Sequence, residues 1–133
     1  MSAEKVLIDT SVWIDYFKNG DPNLSSRIDD VLSGAEVYVP GIVLAELVQG
    51  ARSEREIAAI KDMTETFAFA GHGHGAWFKA GKLSYELRKA GKTVHLADCY
   101  IAVIARENGC RVITRDEHFK AIGEIFDFEL SEV

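Results

Sequence analysis

Four carboxylates in this 133-residue chain stand where an apolar pattern would not place them. Asp9 ends the run Val6-Leu7-Ile8, Glu46 is the single charge in GIVLAELVQG, Asp98 interrupts HLADCYIAVIA, and Asp116 closes VITRD. Each has an ordinary structural reading. Asp9 precedes a helical segment and suits an N-cap. Glu46 suits a partly exposed helix position. Asp98 falls in a first helical turn, where the helix dipole favours an acid. Yet on a helical wheel Asp98 shares a face with Ile101, Ala102 and Ala105, a small apolar surface. A carboxylate there needs a cation or hydrogen bonds to stay charged. If the four meet, any two about 4 Å apart repel by roughly 4 kcal/mol at an effective dielectric near 20. The sequence offers no lysine or arginine obviously placed to pair them all. A divalent cation is the economical neutraliser, and an all-oxygen donor set suits Mg²⁺ or Mn²⁺ rather than Zn²⁺. Such ions clamp phosphates and activate water for in-line attack.

The elements that must bring these residues together alternate short apolar runs with longer amphipathic ones. Strands are expected at Lys5–Ile8, Glu36–Pro40, Phe67–Ala70, Arg111–Thr114 and Phe126–Leu130. Helices are expected at Thr10–Lys18, from NGDPNLSS to Gly34, and at Ile42–Ala51, Ser53–Thr66, Ala76–Ala90, Leu96–Glu107 and Glu117–Ile122. The helix after NGDPNLSS carries Leu24, Ile28, Val31 and Leu32, and Ile42–Ala51 carries a stripe of Leu44, Leu47, Val48 and Ala51. Ser53 and Glu56 form an S-x-x-E capping box. Alternating strands and helices imply a mostly parallel sheet of four to five strands, covered on both faces. Ligands of such sheets bind at the carboxyl ends of the strands. Asp9 and Asp116 both fall at such ends.

Length implies one domain over residues 1–133. A net charge of −6 argues against a broad basic surface for nucleic acid, but not against an enzyme that grips nucleic acid locally. No apolar run is long enough to span a membrane, and MSAEK lacks the layout of a signal peptide. Cys99 and Cys110 form no CxxC pair, which fits a reducing cytoplasm.

The motifs LIDTSVWID, VLAELVQG, LADCYIAVIA and VITRDEHF, in this order and spacing, resemble those of PIN-domain ribonucleases, specifically the VapC-type toxins of toxin–antitoxin pairs. The likeness extends over nearly the whole chain, and the first and third motifs are the most specific. It implies an α/β/α sandwich and metal-dependent endonucleolytic cleavage of RNA. It implies metal ligands at Asp9 and Asp98, with Glu46 and Asp116 completing a catalytic acidic cluster. Thr10, Ser11 and Thr114 match hydroxyl positions that hydrogen-bond around such a site. A VapB-like antitoxin, a homodimer and a higher complex with the antitoxin are implied as well, with DNA bound only through the antitoxin. One position departs from the pattern. Many relatives carry a further acid just before the phenylalanine, where this chain has His118. Asp116 is then the expected fourth carboxylate, Glu117 an alternative, and His118 a contact to phosphate or another ligand.

Other features weigh less. His72 and His74 in GHGHG lack a third nearby ligand and read as a flexible loop. His95 reads as packing at a helix entry. Phe78 and Tyr85, flanked by Trp77 and Gly81, form a second apolar face suited to a subunit interface. Trp13 and Phe17, four apart, suit either an interface or the core. Arg52, Lys79, Lys82, Arg88, Lys89, Lys92, Arg111, Arg115 and Lys120 are candidates for RNA contact, with Arg115 first because it sits inside an acidic motif. A receiver-type domain would need an aspartate after a middle strand, and neither VYVP nor FAFA supplies one. A haloacid-dehalogenase-like phosphatase would need an aspartate where Ser11 stands. The remaining rival is a non-catalytic acidic pocket for a basic peptide or protein, which need not bind metal.

Overall fold

A computed structural model describes residues 3–70 and 74–133, and for residues 64, 68–70 and 74 it describes the backbone alone. The strands are β1 (Lys5–Ile8), β2 (Glu36–Pro40), β3 (Ala68–Ala70), β4 (Arg111–Thr114) and β5 (Glu129–Glu132). The helices are α1 (Thr10–Lys18), α2 (Pro22–Gly34), α3 (Gly41–Gln49), α4 (Glu54–Thr66), α5 (His74–Lys89), α6 (Leu96–Asn108) and α7 (His118–Gly123). The five strands form one sheet in the order β3-β2-β1-β4-β5, parallel throughout. The expected α/β/α sandwich is what forms. From β1 the chain winds outward through β2 to β3, then returns to β4 and continues to β5. Right-handed crossovers then put α1–α4 on one face and α5–α7 on the other. The packing agrees: α1 meets α2 and α3, α3 meets α4, and α6 lies against α5, α7, β1 and β4.

The centre of the sheet is fully apolar. Val6, Leu7, Ile8, Val112 and Ile113 are buried, as is α6 from Cys99 through Ala105. Strands covered on both faces read as unbroken apolar runs, and β1 and β4 do so. Cys99 and Cys110 are buried free thiols, and burial is the main cause that pushes each up to about 11.

Some boundaries and faces differ from expectation. The last strand begins at Glu129 rather than Phe126. Phe126 and Phe128 instead pack on each other, and Phe128 meets the buried ring of Phe119 edge-on. On α3 the buried residues are Val43 and Leu47, while Val48 is exposed. Relative to the expected stripe of Leu44, Leu47, Val48 and Ala51, the buried face is turned toward Glu46 by roughly 70°. The capping box of α4 also reaches one residue further out. Ser53 accepts from the Glu56 N–H at 3.1 Å, and Glu56 accepts from the N–H of Arg52 at 3.3 Å. Trp13 belongs to the core: it is fully buried, stacks on Phe17 at 6.0 Å and meets Tyr16 edge-on. The GHGHG reading lies outside the described residues, except for the backbone of His74, which opens α5, and Gly75, which follows it in the helix.

Candidate active site

The sheet reverses its winding between β1 and β4, and the crevice at their carboxyl ends is where doubly wound sheets bind ligands. Register brings Ile8 level with Ile113. The Asp9 N–H extends the ladder by donating to the Ile113 carbonyl at 2.9 Å. Asp9 therefore stands beside Thr114, 105 residues later in the chain. Asp9 does occupy the N-cap position of α1, but its carboxylate makes no capping hydrogen bond. Instead Oδ2 accepts from the Ser11 hydroxyl at 2.7 Å and from the Thr114 hydroxyl at 2.9 Å. Oδ1 receives neither. Asp9 and Thr114 are the two buried polar residues among those described. The same Thr114 oxygen accepts from the Asp116 N–H at 2.9 Å, so one buried hydroxyl ties the two acidic segments together.

Asp116 follows β4 and also serves the modest role open to an aspartate there. Its Oδ1 accepts from the His118 N–H at 2.9 Å, an Asx turn that starts α7. Glu117 is exposed and makes no capping bond. Asp98 lies in the first turn of α6, with its side chain only 13% exposed. The His118 Nδ1 lies 3.2 Å from Asp116 Oδ1 and 3.9 Å from Asp98 Oδ2. Glu46 joins from the α3 side: its Oε1 accepts from the Thr10 hydroxyl at 2.9 Å, next to Asp9 in the chain. Asp9, Ser11, Thr114 and Asp116 thus share one chain of hydrogen bonds, Asp98 and Asp116 lie with His118 within 4.8 Å of one another, and Glu46 with Thr10 forms a separate pair next to Asp9 in the chain. His95 belongs beside it, with its ring 5.8 Å from that of His118 in an edge-on pair.

The electrostatics are those of an acidic pocket short of positive charge. Burial pushes Asp9 above the usual carboxylate range, and the Asp116 charge adds to this. The Ser11 and Thr114 hydroxyls and the Thr10 backbone act against it. Asp98 is pushed up to about 7, first by burial and then by the charges of Asp9 and Asp116, with His95 and His118 opposing. No lysine or arginine among the described residues forms an ion pair with Asp9, Glu46, Asp98 or Asp116. Arg115, inside the fourth motif, turns elsewhere: its guanidinium meets Asp15 and Asp21 at 3.2 Å each, and its Nε donates to the Val133 carbonyl. It fastens the end of β4 to α1 and to the N-cap of α2. Most of the other basic candidates are paired as well, among them Lys79 with Glu107 and Arg111 with Glu4.

The donor set fits a hard divalent cation. The Asp116 charge raises the cost of ionising Asp9, and Asp9 and Asp116 together raise that of Asp98; a shared cation offsets both. Oxygen donors on rigid element ends, with backbone and hydroxyl bonds holding their far sides, are what such an ion requires.

Comparison with known proteins agrees with this geometry. The model of the PIN domain family matches residues 6–125. Ribonuclease VapC11 of Mycobacterium tuberculosis is 27% identical over 128 residues, covering 93% of this chain and 96% of its own. Ribonuclease VapC2 of Haemophilus influenzae is 30% identical over 118 residues, covering 84% and 86%. Among solved structures, DNA-bound VapBC from Salmonella typhimurium superposes with a TM-score of 0.78 at 24% identity, over 97% of this chain and 98% of that one. With the family model spanning most of its length and a relative 30% identical over most of both chains, this chain belongs to the PIN-domain family, among its VapC-type ribonucleases.

Proposed function

We propose that the chain is a Mg²⁺- or Mn²⁺-dependent endoribonuclease and the toxin of a VapBC-type pair. The observation that carries this reading is that carboxylates from three separate segments, Asp9, Asp98 and Asp116, lie close enough for the charges of Asp9 and Asp116 to act on Asp98, with no lysine or arginine among the described residues paired to them. Asp9, Asp98 and Asp116 would hold the ion, and Glu46 would flank it. When bound, such an ion neutralises charge on the scissile phosphate and lowers the pKa of a water that attacks it. The chain's own residues set the geometry. Ser11 and Thr114 fix one oxygen of Asp9, so that the other is presented to the crevice. Thr10 holds Glu46 at the border of the buried face of α3. Thr114 also sets the backbone from which Asp116 projects.

RNA is the substrate this reading assigns, and a VapB-like antitoxin is the partner that would block the crevice and carry any DNA binding. Both cysteines being buried free thiols suits a reducing cytoplasm. The test is cleavage of RNA by the purified, antitoxin-free chain. Mg²⁺ or Mn²⁺ should support cleavage and EDTA should stop it, with cuts inside the strand. Cleavage that persists in EDTA would count against the reading.

A homodimer is part of the same proposal, through the outer face of α5. Phe78 is 75% exposed there, Trp77 44% and Tyr85 47%. Trp77 is held flat on Tyr100 with centroids 3.8 Å apart, and Phe78 borders a cleft shared with Leu83, Ile125 and Phe126. Three exposed aromatics on one helix favour an interface. Phe78→Glu should convert a dimer to a monomer by light scattering with the circular dichroism unchanged. A wild-type chain that is monomeric both with and without antitoxin removes the dimer.

A further inference from the structure

We propose that His118 is a ligand of the divalent cation, through Nδ1, which makes this centre a mixed nitrogen–oxygen site that favours Mn²⁺ over Mg²⁺. The inference rests on the metal-nuclease reading above and adds to it a ligand and an ion preference. His118 stands where an all-oxygen reading of the site has no use for it. Its Nδ1 is directed at the carboxylates, 3.2 Å from Asp116 Oδ1 and 3.9 Å from Asp98 Oδ2. One ligand atom from each of the three residues lies within 4.8 Å of the others. An octahedral ion with bonds of about 2.1 Å holds adjacent ligands about 3.0 Å apart and opposite ones about 4.2 Å apart. Both imidazole-to-carboxylate separations lie between these two values, so small side-chain rotations bring the three residues onto one ion.

The placement has structural causes. The Asx turn from the His118 N–H to Asp116 fixes the two residues relative to each other. Phe119, the next residue, is fully buried and sets the rotation of α7. The His95 ring meets the imidazole edge-on at 5.8 Å. The His118 side chain is 48% exposed, which leaves room for water or a phosphate oxygen on the same ion. Imidazole nitrogen is a donor for first-row transition ions, of which Mn²⁺ binds it most weakly, whereas Mg²⁺ is best served by oxygen alone, so a nitrogen ligand shifts the balance from Mg²⁺ toward Mn²⁺.

An imidazolium serving only as a counter-charge to the two acids would behave in the opposite way, because it would compete with the cation. Pulsed electron paramagnetic resonance of the Mn²⁺-loaded chain, with calorimetric titration of Mn²⁺ and Mg²⁺, separates the two. Wild-type protein and His95→Ala should show imidazole nitrogen coupled to Mn²⁺, and His118→Ala should not. Mn²⁺ affinity should fall about tenfold in His118→Ala while Mg²⁺ affinity changes by about twofold or less. His118→Asp should restore binding with the preference moved toward Mg²⁺, which guards against a folding defect in the alanine variant. Bound Mn²⁺ without nitrogen coupling in the wild type, or equal or tighter binding by His118→Ala, would overturn the proposal and leave the carboxylate site standing. Failure of the wild type to bind Mn²⁺ at all would overturn both.

Discussion

Asp9→Asn lowers metal-dependent RNA cleavage by about a thousandfold, the loss expected when several kcal/mol of transition-state charge stabilisation disappear. It should do so without unfolding the chain. Asparagine keeps the shape of the side chain and an oxygen acceptor for the Ser11 and Thr114 hydroxyls, so the buried hydrogen bonds at 2.7 and 2.9 Å survive. What is lost is the negative charge presented to the crevice. Asp9 sits 4% exposed at the end of the central strand, with no basic partner among the described residues to take over its role. Thr114→Val should give a smaller defect of about ten- to a hundredfold, because it acts through Asp9 and the Asp116 backbone rather than at the ion. Both variants are read by initial rates on one RNA substrate at saturating Mn²⁺, with Mn²⁺ binding measured alongside. Wild-type rates in Asp9→Asn would move the catalytic centre elsewhere. A Thr114→Val defect as deep as that of Asp9→Asn would mean that the hydroxyl itself touches the reacting groups.

The residues of this site were legible in the sequence for one physical reason and their contacts illegible for another. Asp9 and Asp116 could be found because β1 and β4 are buried on both faces and read as apolar runs that stop at an acid. Asp98 could be found because α6 is apolar around its circumference, so a single carboxylate stands out. The pairing of β1 with β4 spans about a hundred residues and leaves no local trace, so the Thr114 bridge between Asp9 and Asp116 appears only in the fold. Glu46 illustrates a wrong face. The stripe of Leu44, Leu47, Val48 and Ala51 put it away from the core; Leu47 is buried as expected, but its buried companion is Val43 while Val48 is exposed, which brings Glu46 to the border, next to Thr10. Arg115 was conspicuous for its place inside an acidic motif, yet its partners are Asp15 and Asp21, which no spacing rule connects to it. The last strand was misplaced because Phe126 and Phe128 look like strand residues. They are packing residues beneath α7, and the strand that follows is an edge with little burial.

Asp98→Asn should stabilise the metal-free protein while it abolishes function. Burial and the charges of Asp9 and Asp116 push the Asp98 carboxyl from 3.8 up to about 7. Between these two values the folded chain holds a proton that the unfolded chain has released. The stability this group contributes is therefore fully present below about pH 4 and is lost as pH rises through about 7. In the absence of divalent cation, the thermal midpoint of the wild type should fall between about pH 5 and about pH 8. Asparagine carries no charge, so the variant should lose this part of the pH dependence and melt about 5 °C higher than the wild type at about pH 8. Adding Mn²⁺ should reverse the ranking. A ligand at about a hundred times its Kd adds about 2.7 kcal/mol to a protein that binds it and nothing to one that does not. The wild type would then be the more stable chain, and only it would cut RNA. Scanning calorimetry with EDTA and with Mn²⁺, at both ends of the pH range, reads all of this. An Asp98→Asn chain that melts below the wild type in EDTA at about pH 8 would mean that hydrogen bonds or histidines already satisfy the carboxylate. The case for a cation at this edge of the sheet would then lose its electrostatic ground, because the need for that cation arises from a charge the fold alone does not accommodate.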